Sequence, residues 1–373
     1  MSKPKTSDHE LIAAVERYGS IRGAARALGV DHSGIVGRLQ RMKARGYNPD
    51  YDMTKPVPQG FALSGVSTMY DADGKIKAQW VKSRNVSEDS ELLQEVADAL
   101  KETLPKYKPC KPVAHDATDL MSVFVVTDYH FGMKSWHEET GADWDIKIAE
   151  DLLVRWFDKA IALSPRADKA VLCQLGDFLH WDGMDSVTPE SKHLLDADSR
   201  FQKLVRVVIR VLRRIIAQLL EKYPAVHIIM AEGNHDPASS IWLREWLASV
   251  YEDEPRITVD VSPDPYYCIE HGLTSLFFHH GHKRKPGNVD AVFTAKFREV
   301  FGRTKHSYAH MGHMHHVDQR ETNLMIVEQH RTLAAPDAYA SRGGWMSGRD
   351  AQVITYHAEH GEVSRLRINS RMV

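Results

Sequence analysis

Apolar residues recur at the spacing of an α-helix in three short stretches near the start of the chain. The pattern predicts three helices within residues 7–46, because side chains three or four positions apart share one helical face. Ser20 can accept a hydrogen bond at the start of the second helix, and Gly29 can adopt the left-handed conformation that ends it. The apolar positions of the third stretch are Ile35, Leu39 and Met42.

From residue 121 onward the pattern changes to apolar, β-branched runs that each end in polar residues. MSVFVVTD, KAVLCQLGD and AVHIIMAEGN are such runs, and long helical stretches over residues 146–163 and 199–222 lie between them. The later segments LTSLFFHHGH and HSYAHMGHMHH repeat this design. Strands that alternate with helices indicate an α/β fold, in which the chemistry gathers at the carboxyl ends of the strands.

The stretch between these two parts predicts a hairpin, a helix and a linker. Residues 61–83 contain two alternating runs on either side of Asp-Ala-Asp-Gly, a composition typical of a hairpin turn. Residues 88–104 have the apolar spacing of an amphipathic helix, and residues 106–119 contain the lysines and prolines of a linker. We therefore expect three parts: residues 1–50, residues 51–120 and residues 121–373.

Charge is distributed unevenly along a chain that is nearly neutral as a whole. The formal net charge is −2, yet the first fifty residues contain nine basic and five acidic residues, so they carry +4 and the remainder carries −6. A basic N-terminal region followed by an acidic remainder is typical of a nucleic-acid-binding module joined to a metal-binding one.

Cysteine usage and hydropathy predict a cytoplasmic protein. The three cysteines, Cys110, Cys173 and Cys268, are odd in number and too widely spaced for a disulfide framework or a zinc knuckle. The first ten residues lack the apolar core of a signal peptide. The most apolar helical stretch, Leu204 to Leu220, contains four arginines, so we expect no membrane span.

The three predicted helices resemble a known DNA-binding arrangement. The string GSIRGAARALGVDHSGIVGRLQRMKARG, residues 19–46, resembles the helix-turn-helix of bacterial transcription regulators. The resemblance implies that the third helix lies in the major groove of DNA, with Arg38 and Arg41 near bases or phosphates. The alternative is a bundle that docks proteins or dimerises, which leaves a homodimer open.

Five clusters of potential metal ligands stand where the predicted strands end. They are Asp128-Tyr-His130, Gly176-Asp177, Gly233-Asn234-His235-Asp236, His279-His280-Gly281-His282 and Gly312-His313-Met314-His315. Oxygen and imidazole donors without thiolates suit manganese, iron or zinc ions. Because side chains at positions i and i+2 of a strand share a face, we expect Asp128 and His130 to hold one ion together, as well as His313 and His315. The neighbouring glycines allow sharp turns and close approach of the backbone.

The order of these clusters resembles the motif series of the calcineurin-like metallophosphoesterases, which is D-x-H, G-D, G-N-H-D/E, a lone H and G-H-x-H. The resemblance covers roughly residues 121–320. It implies a four-layer α/β/β/α sandwich with two divalent metal ions, Mn²⁺ in the first place and Fe or Zn as alternatives. By position, the first ion would be held by Asp128, His130, Asp177 and His315. The second ion would share Asp177 and be completed by Asn234, His280 and His313.

The same resemblance implies roles in catalysis. His235 corresponds to the family's proton donor, and Asp236 would orient it. Gly-Asp-Phe-Leu-His180 resembles the G-D-L-F-H of the double-strand-break repair nucleases, whereas the G-D-x-x-D-R-G of the protein serine/threonine phosphatases is missing. The fourth motif, His280-Gly281, differs from the H-Q that those nucleases typically have.

These observations predict two-metal phosphodiester hydrolysis by a DNA-directed nuclease or phosphodiesterase. Two alternatives stay open. One is a metallophosphatase or phosphodiesterase that acts on a phosphoprotein, a cyclic nucleotide or a small nucleotide. The other is a DNA-binding regulator whose phosphoesterase domain binds but does not catalyse.

Overall fold

The computed structural model describes residues 7–44, 61–71, 76–85 and 118–373. The chain divides into two compact units, residues 1–104 and residues 105–373. The helix predicted over residues 88–104 lies outside the described residues, as do Cys110 and most of the predicted linker. The predicted division into three parts, with boundaries after residues 50 and 120, stays a prediction.

In the first unit, three short helices confirm the prediction from the hydrophobic pattern. They are α1 (Asp8–Tyr18), α2 (Ile21–Leu28) and α3 (His32–Ala44). The side chains of Ser7 and Glu10 form a capping box at the start of α1, and Ser20 caps α2. Gly29 ends α2 with a φ of 63°, a conformation that glycine adopts without steric cost. The core of the bundle consists of Leu11, Ala14, Ala24, Ala25 and Ile35.

A two-stranded antiparallel hairpin follows, as the alternating pattern predicts. Strand β1 (Phe61–Tyr70) pairs with β2 (Ile76–Asn85), and Tyr70 lies opposite Ile76 at the turn. The register shifts between Leu63 and Gly65, an irregularity of the kind that a β-bulge produces.

Two sheets form the centre of the second unit. The first contains β3 (Leu120–Val126), β4 (Lys169–Gln174), β5 (Ala225–Met230), β6 (Ile257–Val259), β12 (Asp350–His357) and β13 (Gly361–Asn369). Its strand order is β13-β12-β3-β4-β5-β6. Strands β3 to β6 run parallel, and β12 runs antiparallel to both β3 and β13.

The second sheet has five strands and mixed directions. It contains β7 (Tyr267–His271), β8 (Thr274–His279), β9 (His306–Met311), β10 (Asp318–Glu321) and β11 (Ile326–Gln329). Its strand order is β10-β11-β9-β8-β7. The central strands β8, β9 and β11 run parallel, and the two edge strands run antiparallel to their neighbours.

Helices cover the outer faces of the two sheets or connect their strands. They are α4 (His137–Thr140), α5 (Ile146–Leu163), α6 (Phe201–Lys222), α7 (Pro237–Val250), α8 (Val289–Lys296), α9 (Arg298–Arg303) and α10 (Ala338–Gly343). Short 3₁₀ helices span Pro286–Asn288 and Ser370–Met372. Among the described residues, no helix combines the length and the apolar character that a membrane span needs.

The side chains that alternate along β3 show how the layers pack. Val123 and Val125 face the second sheet and share one core with β7, β8 and β12. Phe124 points the other way and stacks on Phe157 of α5, with ring centroids 5.8 Å apart. On the far side of the second sheet, Phe277 stacks on Phe293 of α8 at 5.2 Å. The layers therefore run helix, sheet, sheet, helix, which confirms the predicted four-layer α/β/β/α architecture.

Candidate metal centre

The five predicted ligand clusters lie at one edge of the double sheet. Each cluster begins within four residues of the end of a strand, namely β3, β4, β5, β8 or β9. These strands are parallel within each sheet, so their carboxyl ends meet at the same edge. The structure therefore brings together all seven predicted metal ligands: Asp128, His130, Asp177, Asn234, His280, His313 and His315.

The backbone of this edge corrects one prediction from the sequence. We expected Asp128 with His130, and His313 with His315, to share a face because they alternate along a strand, but β3 ends at Val126 and β9 ends at Met311. Asp128 and His130 still fall in one group of ligand atoms, whereas His313 and His315 fall in different groups. The ligands instead converge because their backbones are left-handed, with φ between 50° and 78°. The residues concerned are Asp128, His130, Asp177, His313 and His315. Such conformations are strained for residues with a Cβ, and they concentrate at functional sites.

One group of ligand atoms forms around Asp128, His130 and His315. His315 Nε2 lies 3.1 Å from Asp128 Oδ1 and 3.4 Å from His130 Nε2. The other carboxylate oxygen of Asp128 accepts hydrogen bonds from Thr127 Oγ1, at 2.5 Å, and from His313 N, at 2.8 Å. Asp128 Oδ2 therefore fixes the side chain through hydrogen bonds, and Oδ1 is the oxygen next to the imidazoles of His130 and His315.

A second group contains Asp128, Asp177, His280 and His313. His280 Nε2 lies 3.1 Å from Asp177 Oδ2, 3.2 Å from Asn234 Oδ1 and 4.0 Å from Asp128 Oδ1. The other ring nitrogen, Nδ1, lies 2.7 Å from the carbonyl oxygen of Leu175. Because a carbonyl only accepts, Nδ1 carries a proton, and Nε2 is the nitrogen available to a metal ion.

The electrostatics of the site fit divalent cations. Asp128 and Asp177 are both buried, which by itself would raise their pKa values. His315 and His280 nevertheless hold the pKa of Asp128 below its ordinary value, and His280 and His235 do the same for Asp177. Without a bound cation, protonated His280 and His315 supply the positive charge that keeps these carboxylates ionised, because the carboxylates raise the pKa values of both imidazoles. Divalent cations held by neutral imidazoles would replace that charge. Carboxylate, imidazole and amide donors together suit Mn, Fe or Zn ions.

Glycines let the ligand loops approach one another, as the sequence predicts. A Cβ on Gly233 would lie 1.9 Å from Asp177 Oδ1, and a Cβ on Gly312 would lie 1.9 Å from Thr127 Oγ1 and 2.6 Å from Asp128 Oδ2. A Cβ on Gly176 would lie 2.6 Å from the ring of His280. These distances are far below van der Waals contact, so a side chain at any of the three positions would displace a ligand.

His235 is half-buried and lies next to the predicted ligands. Its ring centroid is 4.8 Å from that of His130, and its backbone N–H donates to Asp177 Oδ1 at 2.8 Å. The ring Nδ1 lies 2.8 Å from the carbonyl oxygen of His180, so Nδ1 carries a proton and Nε2 is left for a reacting group.

The carboxylate of Asp236 makes hydrogen bonds other than the ones expected. We expected its carboxylate to orient the His235 ring, but it accepts hydrogen bonds from the backbone N–H groups of Gly233, Asp177 and Leu179, at 2.9 to 3.2 Å. It is fully buried, and burial together with Asp177 raises the pKa of Asp236 to about 7. Asp236 therefore connects the backbones of two ligand loops, and the His180 carbonyl holds the imidazole.

Two residues near the predicted metal ligands were not among the predicted site residues. His180 is buried, and its Nδ1 lies 3.3 Å from Nδ1 of His130. Burial and the neighbouring His235 lower the pKa of His180 to about 3, so the ring is neutral. Thr332 Oγ1 donates a hydrogen bond of 2.7 Å to the backbone carbonyl of Asp128. His180 could have been found from the sequence, because it follows Asp177 in the Gly-Asp-Phe-Leu-His motif. No motif near Thr332 indicates its role.

A further group of potential ligands, His310, Glu328 and His330, lies between the two sheets. Arg365 Nη1 donates to both oxygens of Glu328, at 2.5 and 2.6 Å, and His310 Nδ1 lies 2.9 Å from His330 Nε2. Burial alone would raise the pKa of Glu328, but His330 and Arg365 lower it to about 2. The charge of Glu328 is thus already balanced, and we assign this group no metal ion.

The predicted DNA-contacting arginines lie on α3. Nε of Arg38 donates to Asp8 Oδ1 of α1 at 3.0 Å, so Arg38 takes part in an ion pair within the bundle. Arg41 is exposed on the surface. Contact of either residue with DNA stays a prediction.

Comparison with known proteins gives one domain match and several similar structures. A conserved uncharacterized protein, a predicted phosphoesterase from Streptococcus pneumoniae, is 11% identical with a TM-score of 0.28 over 68% of this chain and 99% of that chain. Vps29 complexed with Zn²⁺ from Entamoeba histolytica is 12% identical with a TM-score of 0.30 over 67% and 99%. A novel archaeal phosphodiesterase is 12% identical with a TM-score of 0.33 over 67% and 99%. No curated protein matches the chain. Residues 6–43 match the family model of a helix-turn-helix domain, so the chain carries such a domain at its N-terminus.

Proposed function

We propose that the second unit hydrolyses phosphodiesters with two divalent metal ions, and that the helix-turn-helix directs it to DNA as a nuclease or phosphodiesterase. The observation that carries the proposal is the buried carboxylate pair of Asp128 and Asp177, each with an imidazole nitrogen 3.1 Å away. Two ionised carboxylates in a buried site need positive charge, and divalent cations would provide it.

The ligand set that we propose follows the two groups of donor atoms. Asp128, His130, Asp177 and His315 would hold one ion. Asp177 would be shared with a second ion, completed by Asn234, His280 and His313. Asp128 also lies within reach of both groups. Mn²⁺ is the ion that we propose first, with Fe or Zn as alternatives. When bound, such a pair supplies an activated water and neutralises the phosphoryl oxygens.

His235 is the residue that we propose as the proton donor. Its Nδ1 proton is held by the His180 carbonyl, so Nε2 would face the substrate. Protonated at Nε2, the ring would donate a proton to the leaving oxygen, a role worth on the order of 10²–10⁴ in rate. His235 shares a group of potential ligand atoms with His130 and His180, and that group contains no carboxylate, which favours proton transfer over metal binding. Asp236 would support catalysis indirectly, because its carboxylate fixes the backbones of the loops that contain Asp177 and Asn234.

Chelation followed by addition of metal tests the chemistry. Chelated protein should not hydrolyse bis-p-nitrophenyl phosphate, and Mn²⁺ should restore hydrolysis. Asp177→Ala should lose bound metal and activity together, whereas Asp158→Ala, an exposed acid on α5, should lose neither. Full turnover by the chelated protein would contradict two-metal catalysis. Faster hydrolysis of p-nitrophenyl phosphate than of the diester would instead favour a phosphatase.

The salt dependence of duplex binding tests the proposed targeting. Each phosphate contact contributes about −0.9 to the slope of log K against log salt, so Arg41→Ala should lower its magnitude by about one. Arg155→Ala, on α5 of the second unit, should leave the slope unchanged. Hydrolysis of the small diester should be the same in both variants. If Arg41→Ala binds duplex DNA as the wild type does at every salt concentration, a bundle that docks proteins or dimerises is favoured.

A further inference from the structure

We propose that the rim of the metal centre binds single-stranded nucleic acid, whose bases stack on an aromatic surface formed by Trp136, Tyr339 and Trp345. The inference rests on the proposed phosphodiesterase function and names the strand state of its substrate. None of the three residues is a predicted ligand or proton donor, so the surface can be altered without altering the chemistry.

Exposure distinguishes these three side chains from the other aromatic residues of the unit. Trp136 is 56% exposed, Tyr339 is 69% exposed and Trp345 is 58% exposed. Within residues 118–373, all of which are described, every other Trp, Tyr and Phe is buried or half-buried. Exposed aromatic rings leave a large apolar area in water, and a stacking ligand would remove that area from water.

The three rings lie on two neighbouring segments that contact each other. Trp136 immediately precedes α4, and Tyr339 lies within α10. Glu139 of α4 accepts a hydrogen bond of 2.8 Å from Arg342 of α10, which joins the two helices. The ring centroids of Tyr339 and Trp345 are 4.9 Å apart and their planes are tilted by 56°, so the two rings contact each other. Tyr339 and Trp345 thus form a ring pair, and Trp136 lies on the segment that contacts their helix.

Both segments are also attached to the metal centre. Thr332, five residues before the helix cap Asp337, donates its hydroxyl to the backbone carbonyl of Asp128 at 2.7 Å. Ser135, next to Trp136, donates its hydroxyl to the carbonyl of Pro336 at 2.9 Å. The aromatic residues thus lie on two segments that these hydrogen bonds join to each other and to Asp128. Nucleotides next to a phosphodiester bound at the metal centre would meet the aromatic surface.

A basic loop adds positive charge to the same edge of the sheets. Lys283, Arg284 and Lys285 are exposed, and they follow the predicted ligand His280 after two residues. Lys283 is close to one acid, Glu190, at 3.9 Å. Positive side chains near the bound phosphodiester would neutralise backbone phosphates, and aromatic rings would stack on bases, which is the combination that binds single strands.

A single strand fits this surface better than a duplex. Within a duplex each base face is covered by its neighbours, so exposed rings have no base face to stack on. In a single strand the faces are free, and any base offers one, which predicts little sequence preference. A protein partner would also cover the rings, but it would not need the basic loop beside a phosphodiester-cleaving site.

Substitutions at Trp345 test the proposal in the full-length protein with Mn²⁺. Trp345→Leu keeps an apolar side chain and removes the ring, so the KM for a single-stranded oligothymidylate should rise about ten-fold. Trp345→Phe keeps a ring and should recover most of that loss. An abasic oligonucleotide has the same backbone without bases, so wild type and Trp345→Leu should act on it with the same KM. Leu163→Ala, an exposed apolar change at the end of α5, should have no effect.

The results that would overturn the inference are separate from those that would overturn the proposed function. An unchanged KM for oligothymidylate in Trp345→Leu and in the Tyr339→Leu, Trp345→Leu double variant would remove the aromatic surface from substrate binding. Equal loss on duplex and single-stranded substrates would contradict the assignment of a single strand. If wild-type protein hydrolyses no phosphodiester, the proposed function fails, and anisotropy of a labelled oligothymidylate still decides whether the surface binds it.

Discussion

The helical bundle and the edge of the double sheet that carries the predicted metal ligands, called the metal edge below, differ in which residues have a left-handed backbone. In the described part of the bundle, positive φ angles occur at Gly19 (61°) and Gly29 (63°), where helices end. In the second unit, five of the eight non-glycine residues with positive φ in the described chain are predicted metal ligands. The bundle places this conformation where it has no steric cost, whereas the metal edge places it on aspartates and histidines that must converge.

Glycines at the metal edge have a different task. Gly29 has no atom within 4 Å of the position of a Cβ, so glycine is needed there for its φ alone. Gly233 has an ordinary φ, but its Cβ would lie 1.9 Å from Asp177 Oδ1. The same residue type thus serves a helix end in one region and close approach to a ligand in the other, and two substitutions to alanine can separate these tasks.

The largest expected effect is that of Gly233→Ala. A methyl group at this position must displace the Asp177 carboxylate, so the variant should lose bound metal and at least about 10²-fold in diester hydrolysis. Metal content by mass spectrometry and the rate with bis-p-nitrophenyl phosphate measure both.

Gly29→Ala is the matched substitution in the bundle. Alanine in a left-handed conformation costs about 1–2 kcal/mol, so the first unit should lose stability by that amount while small-diester hydrolysis is unchanged. Normal metal content and rate in Gly233→Ala would show that the loop can relax around a methyl group, and the contrast between the two regions would be wrong.

His235→Ala should have the next largest effect. The rate of diester hydrolysis should fall on the order of 10²-fold, because the leaving oxygen loses its proton donor, and metal content should stay near normal. A substrate with a better leaving group should lose less. Loss of metal together with activity would mean that His235 is a ligand.

The next comparison concerns stability rather than hydrolysis, and it sets a buried carboxylate against an exposed one. Glu328 has an ordinary pKa of 4.5, which is lowered to about 2 in the folded protein, so its stabilisation is present above pH 4.5 and is lost as the pH falls toward 2. Glu328→Gln should therefore cost about 3 kcal/mol of unfolding free energy at pH 7. The difference from wild type should shrink as the pH is lowered below 4.5.

Asp8 provides the matched control in the bundle. Its side chain is 52% exposed in the ion pair with Arg38, and exposed pairs contribute at most about 1 kcal/mol. Asp8→Asn should change the unfolding free energy by no more than that. Urea titrations between pH 7 and pH 3 measure both variants, and a constant deficit for Glu328→Gln down to pH 3 would contradict the pKa shift.

The sequence predicts those features that depend on neighbours along the chain. Ser20 and Gly29 mark the ends of α2 through local rules, and the hydrophobic runs before Asp128 and Asp177 identify β3 and β4. Once parallel strands are assigned, the convergence of their carboxyl ends follows. The gathering of the ligands was therefore predictable from pattern and motif order.

Features that depend on contacts between distant segments were not predictable. The left-handed backbone of Asp128 and His130 is maintained by hydrogen bonds to Gly176 and Asp177, which lie about fifty residues away in the chain. Thr332 reaches Asp128 from a segment that contains no motif. Asp236 follows His235 directly, but its carboxylate finds backbone N–H groups in another loop. Such pairings arise from the packed fold and have no local signal.

The left-handed backbone of the ligand loops means that the conformational free energy needed to order the site is spent during folding and not during metal binding. Each such backbone costs about 1 kcal/mol or more, and hydrophobic packing elsewhere offsets it when the chain folds. A cation then meets ligands that are already ordered, so little conformational entropy remains to be lost on binding. The free energy of cation binding adds to the stability of the folded state, and the metal-free protein lacks this contribution. Its melting temperature should rise with the logarithm of the free metal concentration above the dissociation constant.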